Sequence, residues 1–575
     1  MFERKIKKVI MRWKAISKPE QKLVQQLQKE LGVSAIIATL LAQRGMHTFD
    51  AAKAFFRPQW EDLHSPFLMQ DMDKAVDRIH AALEEEEAIM VYGDYDVDGT
   101  TSVVLMASFL AEKTTKITPY IPDRYTEGYG VSYQGIDVAK AKGIQLIIAL
   151  DCGVKAVDKV AYAKEKGIDF IICDHHLPGE ELPQAVALLD PKREDCNYPF
   201  DELCGCGIGF KLIQALSERW QEPKENLYPY LDLVATAIAA DIVPMEGENR
   251  TLSFFGLAQL RQNPRPGIQG FLGALKKPVN ITDLVFKVAP RINAAGRMDH
   301  ALVAVDLLRS KDPTEVKKIA EAIEQFNTER RATDERITKE ALDQIKQRKE
   351  ESFPATVVFA EDWHKGVVGI VASRLIENYY RPTVVLTRSG ENYAGSVRSI
   401  KGFNVYEALE ACKDHMIQFG GHKYAAGLTL KENQLTHFKT AFEKQVEESI
   451  LPELRTPVIL YDLAIPIEEV NHKLYRIVEQ MAPFGPKNMR PVFCSINCVD
   501  SGQSKVVGKD QSHLRLSVQT PNGPLIGIGF SMAKHYDYIK SGGPFDLLYT
   551  LDENEWNGSV SLQLKIKAIR PKEPA

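Results

Sequence analysis

From Ala88 onward the chain alternates short apolar runs with longer amphipathic stretches, and no other feature restricts its fold as much. The runs Ile89–Tyr92, Ile117–Ile121, Leu146–Leu150, Phe170–Cys173 and Val186–Leu189 have strand length and read as buried strands. Between them lie Thr101–Lys113, Tyr133–Lys142 and Ala156–Lys166, with helix-forming composition. Strand, helix and strand in succession predict βαβ units and a parallel sheet. More helix is expected at Gly207–Trp220 and Tyr228–Ala240. Asp312 to Glu351 is dense in Lys, Arg, Glu and Gln, with apolar residues at helical spacing, which predicts a long exposed connecting helix. Pro354 opens a second α/β unit, with strands expected at Thr356–Phe359, Thr383–Leu386 and Tyr393–Val397 and a helix at Val367–Glu377. Beyond Arg455 the short strands and turns, ending in Val560–Ala568, predict a small β-barrel. At 575 residues the chain exceeds what one core organises. The expected divisions are a helical segment 1–70, an α/β domain 71–310, a connecting helix 311–352, a second α/β domain 353–450 and a barrel 455–575.

The strand ends of the first unit carry acids. Gly93-Asp94-Tyr95-Asp96-Val97-Asp98-Gly99 follows the first strand. Alternation would throw the three carboxylates to one side of an extended segment. Asp151 follows the strand Leu146–Leu150, Asp174-His175-His176 follows Phe170–Cys173, and Asp241 ends the apolar stretch Ala235–Ala240. Taken singly these have ordinary explanations: a solvated acidic turn, a helix N-cap, two loop histidines. Parallel strands share one C-terminal rim, however, so three of the groups converge without further assumption. Crowded acids repel unless a cation neutralises them. Carboxylates with imidazole and no thiolate favour Mn2+ or Mg2+ over zinc. A shared carboxylate suits two ions, and Asp151, the lone acid between the other groups, is the expected bridge. The matching chemistry is hydrolysis of a phosphate ester or anhydride.

The segments 94–102, Asp151-Cys-Gly, Asp174-His-His and Ala240-Asp241 resemble, in order and spacing, the four motifs of the DHH phosphoesterase superfamily. Gly420-Gly421-His422-Lys423-Tyr424-Ala425-Ala426-Gly427 resembles the signature of the DHH-associated C-terminal domain. Pro290–Arg297, Gly395–Ser399 and the loop Ile121–Gly130 narrow the likeness to the RecJ single-strand-specific 5′-exonucleases. One stretch departs: Pro483-Phe-Gly-Pro-Lys-Asn-Met-Arg-Pro491 lacks the second Gly and the Pro of the PFGxGNPxP form.

The resemblance implies a parallel-sheet DHH domain, a second α/β domain across the long helix, and a C-terminal OB-like barrel. It implies metal ligands at Asp96, Asp98, Asp151, His175 and Asp241, with Asp94 at the same site and His176 orienting or touching phosphate. Arg297, Ser396 and Arg398 would bind the 5′ phosphate and scissile region, with Gly420, Gly421 and His422 supporting phosphate binding. Arg124, Tyr125 and Tyr129 would guide the strand. The activity implied is metal-dependent 5′-to-3′ hydrolysis of single-stranded DNA in repair and recombination, with a single-strand-binding protein or a helicase as candidate partner. The alternatives are a phosphodiesterase for short oligonucleotides or cyclic dinucleotides, and a non-catalytic scaffold, which would have lost acids that this chain keeps.

No apolar run reaches membrane-spanning length, and Met1 to Lys29 is basic without a signal-type apolar stretch, so a cytoplasmic protein is expected. Eight scattered cysteines without zinc spacing read as reduced thiols. A net charge of -5 excludes a globally basic surface, so nucleic-acid contacts must be local. From Arg455 to Ala575, 14 Lys and Arg face 12 Asp and Glu, and the candidates there are Lys505, Lys509, His513 and Arg515 around one hairpin-like segment.

Overall fold

In the computed structural model the described residues are 11–572, apart from 274, 276 and 557. The first ten residues of the basic N-terminal stretch lie outside them.

The first sheet has five parallel strands in the order Ile117–Tyr120, Ile89–Gly93, Leu146–Leu150, Asp169–Cys173 and Ala187–Leu189. Its side chains alternate between two cores. Ile89, Val91, Leu146, Ile148, Leu150 and Ile171 enter one; Met90, Tyr92, Ile147, Ala149, Phe170 and Ile172 enter the other. Burial on both faces explains why the strands read as unbroken apolar runs. The chain leaves Ile89–Gly93 for the edge and returns on the other side at Leu146–Leu150, so the strand order reverses between these two. Such a switch point opens a crevice at the carboxyl ends of the strands. Register aligns Gly93 with Leu150, Leu150 with Cys173 and Cys173 with Leu189. The next residues, Asp94, Asp151, Asp174 and Asp190, therefore leave the sheet side by side.

Two sequence expectations need correction. The helix after the first strand begins at Val97 and runs to Leu110, rather than beginning at Thr101. Asp96 is its N-cap, with Oδ1 accepting from Gly99 N at 3.0 Å, and Asp98 sits on the first turn. The three acids are gathered by a helix start, not by extended alternation, because a capping Asp satisfies an amide that a strand would leave free. Gly99 makes the turn fit: a Cβ there would lie 2.4 Å from the Asp94 carbonyl oxygen.

The connecting helix, Pro313–Gln347, is not simply exposed. Val316 and Ile323 join the first domain's core, and Ile337, Ala341 and Ile345 join a core with the second domain. The buried residues between them, Asn327 and Asp334, are polar. The helix is a strut, anchored at both ends and polar in the middle.

The second domain's sheet runs Gln418–His422, Ala425–Lys431, Asn392–Arg398, Thr383–Ser389 and Thr356–Ala360. Only the last two pair in parallel. The glycine-rich signature thus forms an edge hairpin.

The C-terminal strands close into a barrel. Phe493–Cys498 pairs with Phe545–Trp556, which pairs with Ser559–Pro571, then Leu525–Gly529, then His513–Val518. The bridge between Asp500 and Val518 returns the order to its start. Lys505–Val507 extends it as a hairpin with His513–Val518. The N-terminal strand Arg12–Ala15 pairs with Val458–Tyr461. Leu27, Ile37, Leu40, Leu41 and Phe55 from the N-terminal helices share one core with Leu474, Val478, Phe493 and Phe545. The two ends of the chain fold as one unit. Among the described residues no helix is long and apolar enough to cross a membrane.

Candidate metal centre

The aspartates on the rim differ in how they are held. Asp98 turns its carboxylate onto the start of the helix Gly205–Arg219, where Gly205 N and Cys206 N each donate at 2.7 Å. Asp151 adopts left-handed backbone at φ 59°, an uncommon state for a residue with a Cβ that clusters at functional sites. Gly205 leaves room for it, since a Cβ at Gly205 would lie 2.5 Å from the Asp151 Cβ. Asp241 is the last residue of the helix Leu231–Asp241, followed by the left-handed Ile242.

His175 joins them. Its Nε2 lies 3.2 Å from Asp151 Oδ1, 3.8 Å from Asp241 Oδ2 and 3.9 Å from Asp98 Oδ2. Two overlapping groups result, Asp151/His175/His176 and Asp98/His175/Asp241, each with ligand atoms within 4.8 Å of one another. Both contain His175. Its one Nε2 can serve one ion, whereas a carboxylate can serve two. Asp94 and Asp96 fall in neither group among the described residues. Asp94 is fully buried, with Gly130 N donating to Oδ1 at 3.4 Å and Oδ2 without a partner. Asp96 nonetheless repels Asp94, Asp98, Asp151 and Asp241, so all five carboxylates share one space.

Their ionisation reflects that crowding. Burial, then Asp96, pushes Asp94 up to about 8 and Asp98 up to about 7. Burial, then Asp98 and Asp96, raises Asp241 to about 8. Asp151 is raised well above the usual carboxylate range by burial and then by Asp98, Asp96, Asp241 and Asp174. Burial lowers His175 to about 3, leaving the neutral imidazole that a metal requires. Asp151 Oδ1 is buried and accepts no hydrogen bond. Repelling carboxylates with unsatisfied oxygens around a neutral imidazole fit hard divalent cations.

Around this centre sit groups that orient. Asp174 Oδ1 accepts from His175 N at 2.8 Å, from His176 N at 3.2 Å and lies 2.7 Å from His176 Nδ1, while Val154 N donates to Oδ2 at 2.9 Å. Burial would raise Asp174, but the His176 hydrogen bond and charge carry it below the ordinary value. His176 Nε2 lies 3.1 Å from the Tyr129 hydroxyl. Lys192 Nζ donates to the His175 carbonyl at 2.6 Å. Asp190, also on the rim, is fully buried with Oδ2 unpaired. Sequence reasoning passed over Asp190 and Lys192; the acid directly after the run Val186–Leu189 was the available signal.

A cluster of cations lines the cleft, with Arg124 and Arg297 from the first domain, Arg330 from the connecting helix and Arg398 from the second domain. Arg297 Nη1 donates to Gly366 O at 2.6 Å, and the Tyr125 hydroxyl donates to Arg297 O at 2.6 Å. Arg398 Nη1 donates to Ser396 Oγ at 2.9 Å. Burial, with the charges of Arg124, Arg330 and Arg398, lowers Arg297 to about 10. The charges that lower Arg297 are all cations, and the Tyr125 hydroxyl acts the other way, a surround suited to an anion. Arg124 stacks 3.9 Å over the Tyr95 ring. Arg330, from the middle of the connecting helix, was not anticipated. The charge of His176 reaches His422, which burial, then His176 and Lys155, pushes down. The edge hairpin therefore faces the metal rim. Gly420 has open space beside it, while Gly421, at φ 142°, would drive a Cβ to 2.4 Å from Ala425 O.

Comparison with known proteins matches this geometry. The DHH family, N-terminal domain, matches residues 88–238, the DHHA1 domain 352–448 and the RecJ OB domain 461–568. The single-stranded-DNA-specific exonuclease RecJ of Bacillus subtilis is 37% identical over 562 residues, covering 97% of this chain and 70% of that protein. The chain belongs to the RecJ family. RecJ of Escherichia coli is 33% identical, covering 93% of this chain and 96% of its own length. Among solved structures, RecJ of Thermus thermophilus in complex with Mn2+ superposes with TM-score 0.83 at 25% identity, over 98% of this chain and 80% of that one. An exonuclease RecJ bound to manganese superposes with TM-score 0.59 at 30% identity, over 67% of this chain and 96% of that one. The fold is the one expected: parallel-sheet DHH domain, second α/β domain, long helix and OB-like barrel. The cofactor of the RecJ fold is a divalent metal, as expected.

Proposed function

We propose that this chain is an exonuclease that hydrolyses single-stranded DNA from its 5′ end in the cytoplasm, using two Mn2+ or Mg2+ ions. One observation carries the reading: at the switch point of a RecJ-family sheet, Asp151 in one ligand group and Asp98 with Asp241 in the other converge around His175, and their carboxylates can serve a second ion. Asp96, Asp98, Asp151, His175 and Asp241 would hold the ions, with Asp94 completing the negative surround. Bound there, the ions would supply an activated water and charge neutralisation at the scissile phosphate. Asp174 fixes the His176 ring so that Nε2 points toward Tyr129 and the cleft. Arg297, Ser396 and Arg398 grip the terminal phosphate, where guanidinium forks give bidentate contacts. The hairpin of Gly420, Gly421 and His422 offers backbone amides at a sheet edge. Arg124 and Tyr129 guide the strand on the loop 121–130.

The proposed metal ligands lie in the first domain, with Arg124 and Arg297, while Ser396, Arg398 and the glycine-rich hairpin lie in the second, so substrate enters between the two. A duplex is roughly twice the width of a single strand whose bases stack on aromatic residues, and the cleft would admit only the latter. The test is digestion of end-labelled single- and double-stranded oligomers with each metal. Nucleotides should be released from the 5′ end of single strands only. Blunt duplexes degraded as fast as single strands would refute the narrow cleft, and release from the 3′ end would refute the polarity.

A further inference from the structure

The stretch Pro483–Pro491, where the chain departs from its family's glycine-rich form, is also where the C-terminal unit meets the metal-bearing domain. Gly485 and Asn488 pair through both backbone groups, at 3.1 and 3.0 Å, to make a tight turn. Asn488 is buried and locks it, donating to Met481 O and Pro483 O at 2.9 Å each. Arg44, from the N-terminal helices, donates to Asn488 Oδ1 at 3.0 Å and pairs with Asp462 at 3.1 Å. The turn is thus fixed to the unit built from both chain ends.

Its other side touches the segment after Asp241. Met245 N donates to Pro486 O at 2.7 Å. A Cβ at Gly485 would come within 3.0 Å of both Met245 Cβ and Met245 Cε. Arg250 Nη2 donates to Ala482 O at 2.9 Å and Met481 O at 3.3 Å, with its guanidinium 4.0 Å from the Phe55 ring. Between Asp241 and Met245 the path is Ile242, left-handed at φ 63°, then Val243 and Pro244. Asn249 Nδ2 donates to Pro244 O at 3.1 Å. This link is short, spanning at most about 14 Å when extended.

Asp241 needs such a brace. Asp98 is fixed by two amides, but no hydrogen bond to the Asp241 carboxylate is among the described contacts, only His175 Nε2 at 3.8 Å. Its place depends on where its helix ends and where the chain goes next. We infer that the turn Pro483–Asn488 is a positioning element for Asp241, so that the C-terminal unit sets the geometry of the metal centre as well as contacting the strand. This rests on the metal reading above.

The test compares wild-type protein with Gly485→Val, Met245→Ala and the double variant. Each is first checked for an unchanged melting transition, then titrated with Mn2+ by calorimetry and assayed on a short 5′-phosphorylated oligonucleotide that does not reach the barrel. Gly485→Val should weaken binding of one Mn2+ by about tenfold or more, the effect seen when groups supporting a ligand are lost. It should lower kcat with KM little changed. Met245→Ala, which opens a gap at the same contact, should shift both in the same direction but less. The double variant should recover toward wild type because the smaller side chain readmits the Val. Wild-type Mn2+ affinity and kcat in folded Gly485→Val, or in Met245→Ala if the Val variant does not fold, would overturn the brace. Wild-type protein that bound no Mn2+ would overturn the metal reading itself, and this inference with it.

Discussion

Asp98 and Gly205 lie 107 residues apart and meet at 2.7 Å, carboxylate oxygen to amide nitrogen, with Cys206 N donating to the second oxygen. The start of one helix holds an acid from the start of another. The same Gly205 abuts Asp151, whose Cβ would be 2.5 Å from any added Cβ. A single glycine therefore fixes two of the proposed ligands at once. Favourable charge at a helix N-terminus also explains how Asp98 is held while surrounded by like charges.

Gly205→Ala should accordingly be a catalytic-site mutation without touching a ligand. Asp151 or the helix must move by about an ångström, and displacement on that scale costs on the order of a hundredfold in rate. The expected outcome is a folded protein with kcat down by roughly that factor and weakened Mn2+ binding. Steady-state kinetics and a metal titration check it, and near-normal values would mean the helix start adapts freely.

Asp151→Ala should abolish hydrolysis while leaving the fold intact. Asp151 leaves the sheet between Asp94 and Asp174, and as the proposed bridge it would offer an oxygen to each ion. At a pH above the raised values of the site's acids, where the carboxylates are charged, replacing it also removes a repelling charge from a crowded, buried site, so there the metal-free variant should melt higher than metal-free wild type. Loss of turnover together with a raised melting temperature is the signature to look for. A folded mutant with normal turnover would sink the two-metal assignment.

The pH dependence of metal-free stability should run opposite to that of ordinary paired carboxylates. Asp94, Asp98 and Asp241 are raised to about 8, 7 and 8, so the fold binds their protons more tightly than the unfolded chain does. Stability is then fullest below about pH 4, where both states are protonated, and falls as pH rises through the folded values. His176, also raised, adds to the fall. His175, lowered to about 3, acts with opposite sign only below its ordinary value of 6.5. In chelator the melting temperature should drop from pH 6.5 to pH 8, and saturating Mn2+ should remove the drop. Calorimetric scans across that window decide it; a metal-free protein that stabilises with rising pH contradicts the shared acidic site.

Much of this was legible in the chain, for identifiable reasons. Buried parallel strands announce themselves as unbroken apolar runs, and the acids after Gly93, Leu150 and Cys173 fall on one rim because register aligns those residues. What escaped depended on contacts distant in sequence. Arg330 looks like any charge on a solvated helix until the strut crosses the cleft. The shared core of Leu27 and Ile37 with Phe493 leaves no local trace. The acids 94 to 98 misled because an alternating pattern serves a strand and a capped helix start equally. Lys487 shows the converse: where the family form has Gly, this chain holds φ at 65° with a side chain attached.

Lys487→Gly should therefore stabilise. Left-handed backbone costs a residue with a Cβ about 1 kcal/mol, and glycine does not pay it. The C-terminal unit should gain stability of that order in denaturant unfolding, with activity kept. An unchanged midpoint would mean that other contacts of Lys487 offset the strain.

Arg398→Ala should raise KM most for 5′-phosphorylated strands. The side chain is held by Ser396 Oγ at 2.9 Å, and Gly369 permits the close packing, since a Cβ there would lie 3.0 Å from both Arg398 Nη2 and Ser396 Oγ. The guanidinium is thus presented at the domain interface rather than spent on an acid; burial alone lowers its pKa. Hydrogen bonds to charged groups contribute about 1.5–3 kcal/mol, or roughly 10- to 150-fold in affinity. Metal binding should stay at the wild-type level, because the proposed ligands belong to the other domain. Paired assays on phosphorylated and hydroxyl 5′ ends separate the outcomes: a loss confined to the phosphorylated end supports terminal recognition, and an equal loss on both assigns Arg398 to holding the two domains together.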